Sequence, residues 1–345
     1  MNTSKFTAIA MSAALALASC SDAGKQDDQP VIGKPDYKSE AGIFDVDAMM
    51  ALGRVSGAQV SPDGSQILYG ISYVSVPENK SNRDLYVMDA DGQNQTRITA
   101  SPKSESGEAW IEGGKKIAFV YPDADGQPQL WVMAADGTSR VQVSDVEGGI
   151  GGFLFSPDEK KVLLIRNVKR ARPADELYAD LPKATGVVVD DLMYKHWDEW
   201  VTENPHPFIG DFDGMHVSNI VDIMADEPDY EAPMKPFGGI ESFAWAPDSK
   251  SIVYVSRKKT GIEYSLSTNS DLYLYNLADG STVQLTEGDN FGGYDTCPAF
   301  SADGKTLAWL SMEHDGYESD KNRLYVRDMA TGEMTDLTAD WDYTI

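Results

Sequence analysis

Apolar and polar residues alternate in a unit that recurs along most of the chain. Each unit opens on an apolar residue that ends a strand, passes through a short turn, and leads into an alternating strand. Proline presets φ at the second turn position, aspartate bonds its own backbone, and glycine accepts a positive φ, so these turns are tight. They lie at Val60–Gly64, Trp110–Gly114, Phe155–Asp158, Trp245–Asp248 and Phe300–Gly304.

Two further strands complete each unit. A strand that opens on leucine and an aromatic residue precedes a glycine-centred hairpin in most units, and a short last strand follows the hairpin. Four strands that repeat about every 45 to 55 residues are typical of a β-propeller, in which each unit is one blade. The leucine-led strands begin at Leu85, Leu130, Leu272 and Leu324.

The repeat predicts an all-β fold, a β-propeller of about five four-stranded blades over residues 45–345. The third and fourth turns are about twice as far apart as the others, which predicts an insertion at about 170–236 in the third blade. One four-stranded sheet cannot bury both of its faces, so the blades must stack. The last unit ends shortly before Ile345 without a closing strand, and we therefore expect the propeller to be incomplete.

The composition supports a folded, acidic protein. Apolar residues make up 41% of the chain, which excludes wholesale disorder. Lysine and arginine number 29 against 55 aspartate and glutamate residues, a formal net charge of −26. A surface this acidic repels phosphate backbones, so the sequence excludes nucleic acid as a partner.

The first residues predict export rather than fold. Lys5 precedes the apolar stretch Phe6–Ala18, which is typical of a secretory signal peptide at residues 1–19. Leu17–Cys20 resembles a lipobox, so we expect lipidation of Cys20, with residues 20–44 as a polar tether. This predicts a lipid-anchored protein in the periplasm or at the outer membrane of a Gram-negative bacterium. An ordinary signal peptide with an incidental cysteine remains the alternative.

Cys297 is the second of the two cysteines. If Cys20 carries lipid, Cys297 has no partner for a disulfide. It lies near the start of an apolar strand, so we predict a small buried hydrophobic residue rather than a reactive thiol.

The chain carries no recognisable catalytic constellation. Gly70–Val74 and Gly137–Val141 both lack the second glycine of a Gly-x-Ser-x-Gly turn. The four histidines make neither a zinc-binding helix nor a cysteine–histidine zinc spacing. We therefore predict no catalytic residue, and we expect the 345-residue chain by itself to be inactive.

Two loops contain carboxylates at a spacing that suggests calcium. Asp123–Gly126 and Asp211–Gly214 each supply two aspartates before a glycine, but the first ligand and the closing glutamate of an EF-hand are missing. Hairpin turns are the favoured interpretation. Gly148–Gly152 misses the dinucleotide fingerprint and indicates a linker between blades. The sequence thus predicts no metal and no cofactor.

The insertion contains the candidate substrate-binding residues. Aromatic side chains and carboxylates interleave there, an arrangement that suits a cationic ammonium group with an apolar neighbour. On a helix, Glu199 and Glu203 would share one face. Packing of a tryptophan-rich segment on its own propeller, with solvated carboxylates, is the alternative. The candidates are Trp197, Asp198, Glu199, Trp200 and Glu203.

Three features together carry a family resemblance: the lipoprotein-like leader, the Ser-Pro-Asp-Gly turns and the segment Met193–Trp200. Ser267–Tyr273 adds to it. Over about residues 45–345 the chain resembles the N-terminal β-propeller of a bacterial dipeptidyl peptidase of the prolyl oligopeptidase family. Tol-type periplasmic propellers share the turn motif, so the tryptophan-rich segment makes the resemblance specific.

The resemblance implies a seven- or eight-bladed propeller that covers a C-terminal α/β-hydrolase domain with a serine triad, a domain that this sequence does not contain. It implies that the propeller gates the substrate, and that acidic side chains of the insertion hold the free N-terminus of a peptide. We therefore expect part of a secreted serine dipeptidyl peptidase, with a peptide and the hydrolase domain as partners. A non-enzymatic Tol-type lipoprotein that binds peptides, glycans or envelope partners is the second hypothesis.

Overall fold

The computed structural model describes residues 31–38, 42–170, 172–188, 192, 195–196, 199–228, 230–288 and 291–345, with 195, 196 and 199 described by their backbone. The predicted signal peptide and Cys20 lie outside the described residues. Within the described part of the chain, none of the helices has the length and apolar character needed to cross a membrane.

The described residues form five four-stranded antiparallel sheets that follow one another along the chain, and each is one blade. Blades one and two contain β1 (Arg54–Val60), β2 (Gln66–Ser75), β3 (Lys80–Asp89), β4 (Thr96–Arg97), β5 (Ser106–Ile111), β6 (Lys116–Pro122), β7 (Pro128–Ala134) and β8 (Val141–Gln142). Blade three begins with β9 (Gly152–Phe155) and β10 (Lys161–Lys169).

In the described part of the insertion, two small hairpins then interrupt the third blade. They consist of β11 (Arg172–Pro173), β12 (Val187–Val188), β13 (Lys195–His196) and β14 (Glu199–Trp200). The blade resumes with β15 (Glu203–Phe212) and β16 (Val217–Asp222). Blades four and five contain β17 (Phe243–Trp245), β18 (Ser251–Ser256), β19 (Asp271–Asn276), β20 (Thr282–Gln284), β21 (Asp295–Phe300), β22 (Thr306–Ser311), β23 (Arg323–Asp328) and β24 (Met334–Asp336).

The helices of the described residues are short. They are α1 (Val46–Ala51), α2 (Ala174–Leu177) and α3 (Gly261–Leu266), with 3₁₀ turns at Glu112–Gly114 and Ile240–Ser242. The Asp45 side chain accepts a hydrogen bond from the backbone N–H of Ala48 and so caps the first turn of α1. The prediction of an all-β fold built from four-stranded blades is confirmed.

The insertion is shorter than the sequence analysis predicts. The range 170–236 contains β15 and β16, which are the third and fourth strands of the blade itself, so the inserted hairpins occupy 170–202. β15 contains Pro205 and Pro207. In a sequence, prolines at such positions argue against a strand that pairs on both sides. In the fold, the carbonyl of Pro205 accepts the backbone N–H of Ala232, and that of Pro207 accepts the backbone N–H of Ile223. On this side of β15 the two prolines act only as acceptors, so their missing N–H groups are not needed.

Side chains of the predicted turns explain why the turn motif recurs. The Ser156 hydroxyl donates to Asp158 over 2.7 Å and accepts the backbone N–H of Lys161 over 3.0 Å. The same serine-to-aspartate bond closes the turns at Ser61 and Ser301. These bonds replace water for the turn's polar groups and fix the entry into the second strand of each blade.

A second repeated bond joins the residue two positions after the last strand of a blade to the third strand. The Thr99 hydroxyl accepts the backbone N–H of Leu85 over 2.8 Å, and Thr286 accepts that of Leu272 over 3.0 Å. Both leucines are fully buried, so these N–H groups have no access to water. Blades two and five make the same contact through Ser144 and Thr338.

The hydrophobic core lies between neighbouring blades. Among the residues that the structure describes, four clusters of buried side chains fill the spaces between blades one and two, two and three, three and four, and four and five. Trp309, at 1% exposure, anchors the last of these against Phe291 and Tyr325. Packing of successive sheets, rather than of a single sheet, therefore stabilises the fold.

An ion pair joins blades one and two. The two terminal amines of Arg83 donate to the Glu108 carboxylate over 2.8 and 2.5 Å, and both side chains are largely buried. A Cβ atom at Gly70 would overlap the guanidinium, and a Cβ atom at Gly57 would overlap the carboxylate. Glycine is thus required at both positions by the space that the pair occupies.

Cys297 is exposed, so the prediction that it is a buried hydrophobic residue is wrong. It lies at a bulge between β21 and β22 and has a φ of 54°. The bulges of β1 and β5 place Gly57 and Gly107 at corresponding positive φ values. The bulge adds a residue to the strand and breaks its inward–outward alternation, which turns this side chain toward solvent.

Candidate functional site

The antiparallel topology divides the loops of the blades between two faces. The connections between the second and third strands of each blade lie at the same end of the sheet as the linkers to the next blade. We call this end the loop face, and the end with the Ser-Pro-Asp turns the turn face. The inserted hairpins, α3 and the linker 223–242 all lie on the loop face.

The base of the insertion is held by the pairing of β10 with β15. The ladder extends from Lys161 opposite Asp211 to Lys169 opposite Glu203, and the backbone N–H of Arg170 donates to Thr202 over 2.9 Å. The Lys169 ammonium is paired with Glu176. Glu203 therefore projects from the first position of a strand at the rim of the loop face, and it is exposed.

The predicted substrate-binding residues do not share a helix. Trp197 and Asp198 lie outside the described residues. Glu199 and Trp200 form β14, which pairs with β13, and Glu203 begins β15. The Trp200 side chain is 57% exposed. The shared helix face considered for Glu199 and Glu203 does not form, because Glu199 lies in β14 and Glu203 begins β15.

A buried polar cluster that the sequence analysis missed lies on the loop face. Glu231, at 3% exposure, accepts a hydrogen bond from the Tyr264 hydroxyl, and its backbone carbonyl accepts the Ser256 hydroxyl over 2.9 Å. Burial raises the pKa of Tyr264, and the Glu231 charge adds to that effect. The cluster joins the linker 223–242, the end of β18 and α3.

Lys258 occupies an aromatic cage next to this cluster. Its ammonium lies 2.5 Å from the Glu227 carboxylate, 4.0 Å from the centre of the Tyr273 ring and 5.2 Å from that of Tyr254. Burial lowers the pKa of Lys258, and the Glu227 charge opposes that effect. The contact fixes the segment after β18 against the linker 223–242.

The segment Ser267–Tyr273, part of the family resemblance, ties the loops of blades four and five together. Asp315 accepts hydrogen bonds from the Ser267 hydroxyl over 2.8 Å and from the backbone N–H of Thr268 over 2.7 Å. The Ser270 hydroxyl donates to the carbonyl of Asp295 over 2.7 Å. These bonds hold the loop face of the two blades as one surface.

The remaining motifs are structural. Asp123 and Asp213 lie in hairpin turns, where their carboxylates accept backbone N–H groups of the same turn. Backbone donors lower the pKa of Asp213. His206 is buried, and its Nδ1 lies 2.9 Å from Asp222. No group of three or more metal-ligating side chains occurs among the residues that the structure describes.

Known proteins with similar sequences were found for this chain. No family model matches the chain. The chain is 52% identical over 297 residues to dipeptidyl-peptidase 5 of Porphyromonas gingivalis, a match that covers 86% of this chain and 43% of that protein. It is 41% identical to dipeptidyl-peptidase 5 of Porphyromonas endodontalis, over 84% of this chain and 41% of that protein.

The resemblance to the bacterial dipeptidyl peptidases of the prolyl oligopeptidase family is confirmed. The chain spans less than half the length of the dipeptidyl-peptidase 5 proteins that it matches.

Solved structures agree on the fold. The acylaminoacyl peptidase of Pyrococcus horikoshii aligns with a TM-score of 0.60 at 17% identity, over 86% of this chain and 41% of that one. The β-propeller domain of the Trilobed protease from Pyrococcus furiosus aligns with a TM-score of 0.51 at 15% identity, over 84% of this chain and 72% of that domain. The predicted β-propeller architecture is confirmed.

Proposed function

We propose that the chain is the propeller portion of a secreted serine dipeptidyl peptidase, in which it gates the substrate and anchors its N-terminus. The observation that carries this proposal is the 52% identity to a dipeptidyl-peptidase 5 over 86% of the chain. The serine nucleophile and its partners would belong to an α/β-hydrolase domain of the same polypeptide. Peptides with a free N-terminus would be the substrates.

The anchoring role is assigned to the acidic side chains of the insertion. Glu203 is exposed at the rim of the loop face, and Glu199 lies in the neighbouring hairpin beside the exposed Trp200. Carboxylates and an aromatic ring on one short insertion suit a protonated α-amino group, because the carboxylate supplies charge and the ring supplies a π surface. Asp198 and Trp197 complete the candidate set.

The loop face also suits contact with the hydrolase domain. Large apolar side chains are exposed there on the insertion, the linker 223–242, α3 and the fifth blade. An apolar surface of this kind normally marks an interface. Its members include Tyr178, Leu181, Trp200, Phe237, Ile262, Leu266 and Tyr317. Export and lipidation at Cys20 would place the enzyme at a membrane, with peptides of the surrounding compartment as substrates.

The test compares two substrate classes in the full-length peptidase. Glu199→Gln, Glu203→Gln and Asp198→Asn would be assayed on a dipeptidyl substrate with a free N-terminus and on its N-acetyl derivative. A lost charge-assisted hydrogen bond contributes about 1.5–3 kcal/mol, or roughly 10- to 150-fold in kcat/KM. We expect that loss for at least one variant on the free substrate alone.

Glu176→Gln is the matched control, because Glu176 is an exposed carboxylate of the same insertion that is already paired with Lys169. It should leave both substrates unchanged. Equal losses on both substrates, or no loss for any of the three variants, would refute the anchoring role. Absence of dipeptide release by the full-length protein would refute the peptidase assignment and favour a binding lipoprotein.

A further inference from the structure

The loop face carries a concentration of positive charge that the proposed function does not use. Arg257, Lys258 and Lys259 are the only three consecutive cationic residues in a chain with a net charge of −26. They follow directly on β18 and precede α3. Lys258 is neutralised by Glu227, as described above. Its two neighbours have no carboxylate within ion-pair distance among the described residues.

The Arg257 side chain is held in one orientation. Its Nε donates to the backbone carbonyl of Asn269 over 3.1 Å, and its guanidinium carbon lies 5.0 Å from the centre of the Tyr264 ring. Tyr264 is itself fixed through its bond to the buried Glu231. An arginine fixed at Nε and on one π face has lost most of its rotamer freedom before any ligand arrives.

The two terminal amines of Arg257 remain available. Arg83, Arg97 and Arg140 each direct a terminal amine to a buried carboxylate. Neither terminal amine of Arg257 donates to any of the residues that the structure describes, and neither is sealed from solvent without a partner. The guanidinium of Arg257 is therefore oriented and half-buried, and its two terminal amines are open to an acceptor from outside the chain.

The charges around the fork favour an anion of small size. Glu231 is engaged by Tyr264, and Lys259 lies two residues from Arg257 with its charge near Asp271 and Asp315. Burial raises the pKa of Tyr294, whereas the nearby Arg257 charge opposes that effect. A polyanion would be repelled by the protein's overall negative charge, whereas a single carboxylate needs only the charge and the two terminal amines of Arg257.

We propose that Arg257 is a carboxylate-binding residue of the loop face, which pairs its terminal amines with a carboxylate of the bound peptide. The planar fork matches the two oxygens of a carboxylate in a bidentate pair. The peptide itself rests on the proposed function. The carboxylate can come from the C-terminus of a short peptide or from an acidic side chain, and both share this chemistry.

The test measures binding without catalysis and without a free amino group. The side-chain Nε–H signals of arginine would be followed by NMR in the 345-residue chain during titration with three peptides. These are N-acetyl-trialanine, its C-terminal amide, and N-acetyl-Ala-Glu-Ala amide. We expect the Arg257 signal to shift with the first peptide, the third, or both, and not with the neutral amide.

Three variants make the result specific. Arg257→Gln should weaken binding of the carboxylate peptide roughly 10- to 100-fold. Arg172→Gln removes the same charge from an exposed arginine of the insertion and should leave affinity within about twofold. Tyr264→Phe keeps the ring under the guanidinium but loses the bond to Glu231, so it should weaken binding less than Arg257→Gln does. Thermal unfolding of each variant would verify that it is folded.

Equal weakening by Arg172→Gln would overturn the proposal, because it would show a general charge effect. Equal shifts with the neutral amide, or no shift with either carboxylate peptide, would overturn it as well. If Arg257→Gln does not fold, the peptide comparison on the unaltered chain decides the question. The acetylated peptides have no ammonium group, so failure of the N-terminal anchor would leave these outcomes unchanged.

Discussion

Asp295 gives the sharpest prediction of the structure, because it is a carboxyl group buried between blades four and five. It has no exposed surface, and its Oδ1 accepts the indole N–H of Trp309 over 3.3 Å. Its Oδ2 is buried and accepts no hydrogen bond among the described residues. Burial, with a smaller contribution from the neighbouring Asp271 charge, raises the pKa of Asp295 from 3.8 to about 7.

The sign of the effect on stability follows from proton binding. The folded state holds the Asp295 proton more tightly than the unfolded state, so its contribution is complete below about pH 4 and is lost as the pH rises through about 7. A difference of about 3 pKa units corresponds to about 4 kcal/mol in total. About 2 kcal/mol of this stabilisation is lost between roughly pH 5.5 and 8.5. This range lies above the acidic pH at which the net charge of the chain approaches zero.

Asp295→Asn removes the titration and keeps a polar group of similar shape beside Trp309. Urea unfolding of both proteins, followed by tryptophan fluorescence, gives the difference in unfolding free energy at each pH. Between pH 5.5 and 8.5, the unfolding free energy of the variant should rise by about 2 kcal/mol relative to that of the unaltered chain. The indole N–H of Trp309 stabilises the charged form of Asp295 and so lowers its pKa. Trp309→Phe removes this donor, so the pH-dependent loss of stability should move to higher pH. A difference between Asp295→Asn and the unaltered chain that does not change with pH would refute the reasoning.

Three further predictions concern packing, turns and charge. Gly70→Ala should destabilise the chain by about 3 kcal/mol in chemical unfolding, because the new Cβ displaces the Arg83 guanidinium from its buried partner; a loss below 1 kcal/mol would contradict this. Ser301→Ala should cost about 1 kcal/mol in the same assay by removing the hydroxyl that closes a turn, and an unchanged stability would argue against that bond. Lys258→Met should destabilise by about 3 kcal/mol because Glu227 loses its cationic partner and keeps only the Tyr254 hydroxyl; adding Glu227→Gln should recover part of the loss, and strict additivity would count against the pair.

The blades could be predicted because their signals are local. The turn at Ser156–Asp158 is closed by side chains two to five residues apart, so its sequence determines its geometry. The third strand of blade three could not be predicted in the same way. Two prolines break its pattern, and its identity depends on pairing with β10 and on the linker bonds to its carbonyls.

The candidate site was less accessible to sequence reasoning. Glu231, Tyr264 and Arg257 come from a linker, a helix and a strand end, and only the fold brings them together. The run of three cations in an acidic chain was the one local signal for Arg257. Cys297 was misjudged because the apolar sequence around it gives no sign of the one-residue bulge that turns its side chain toward solvent.

Analysis of the released products tests the central claim most directly. The full-length protein would be incubated with an unblocked decapeptide, and the products would be identified by mass spectrometry over time. The account predicts successive release of dipeptides from the N-terminus, and no release from the N-acetylated decapeptide. Release of single residues, cleavage within the blocked peptide, or an intact decapeptide would contradict it.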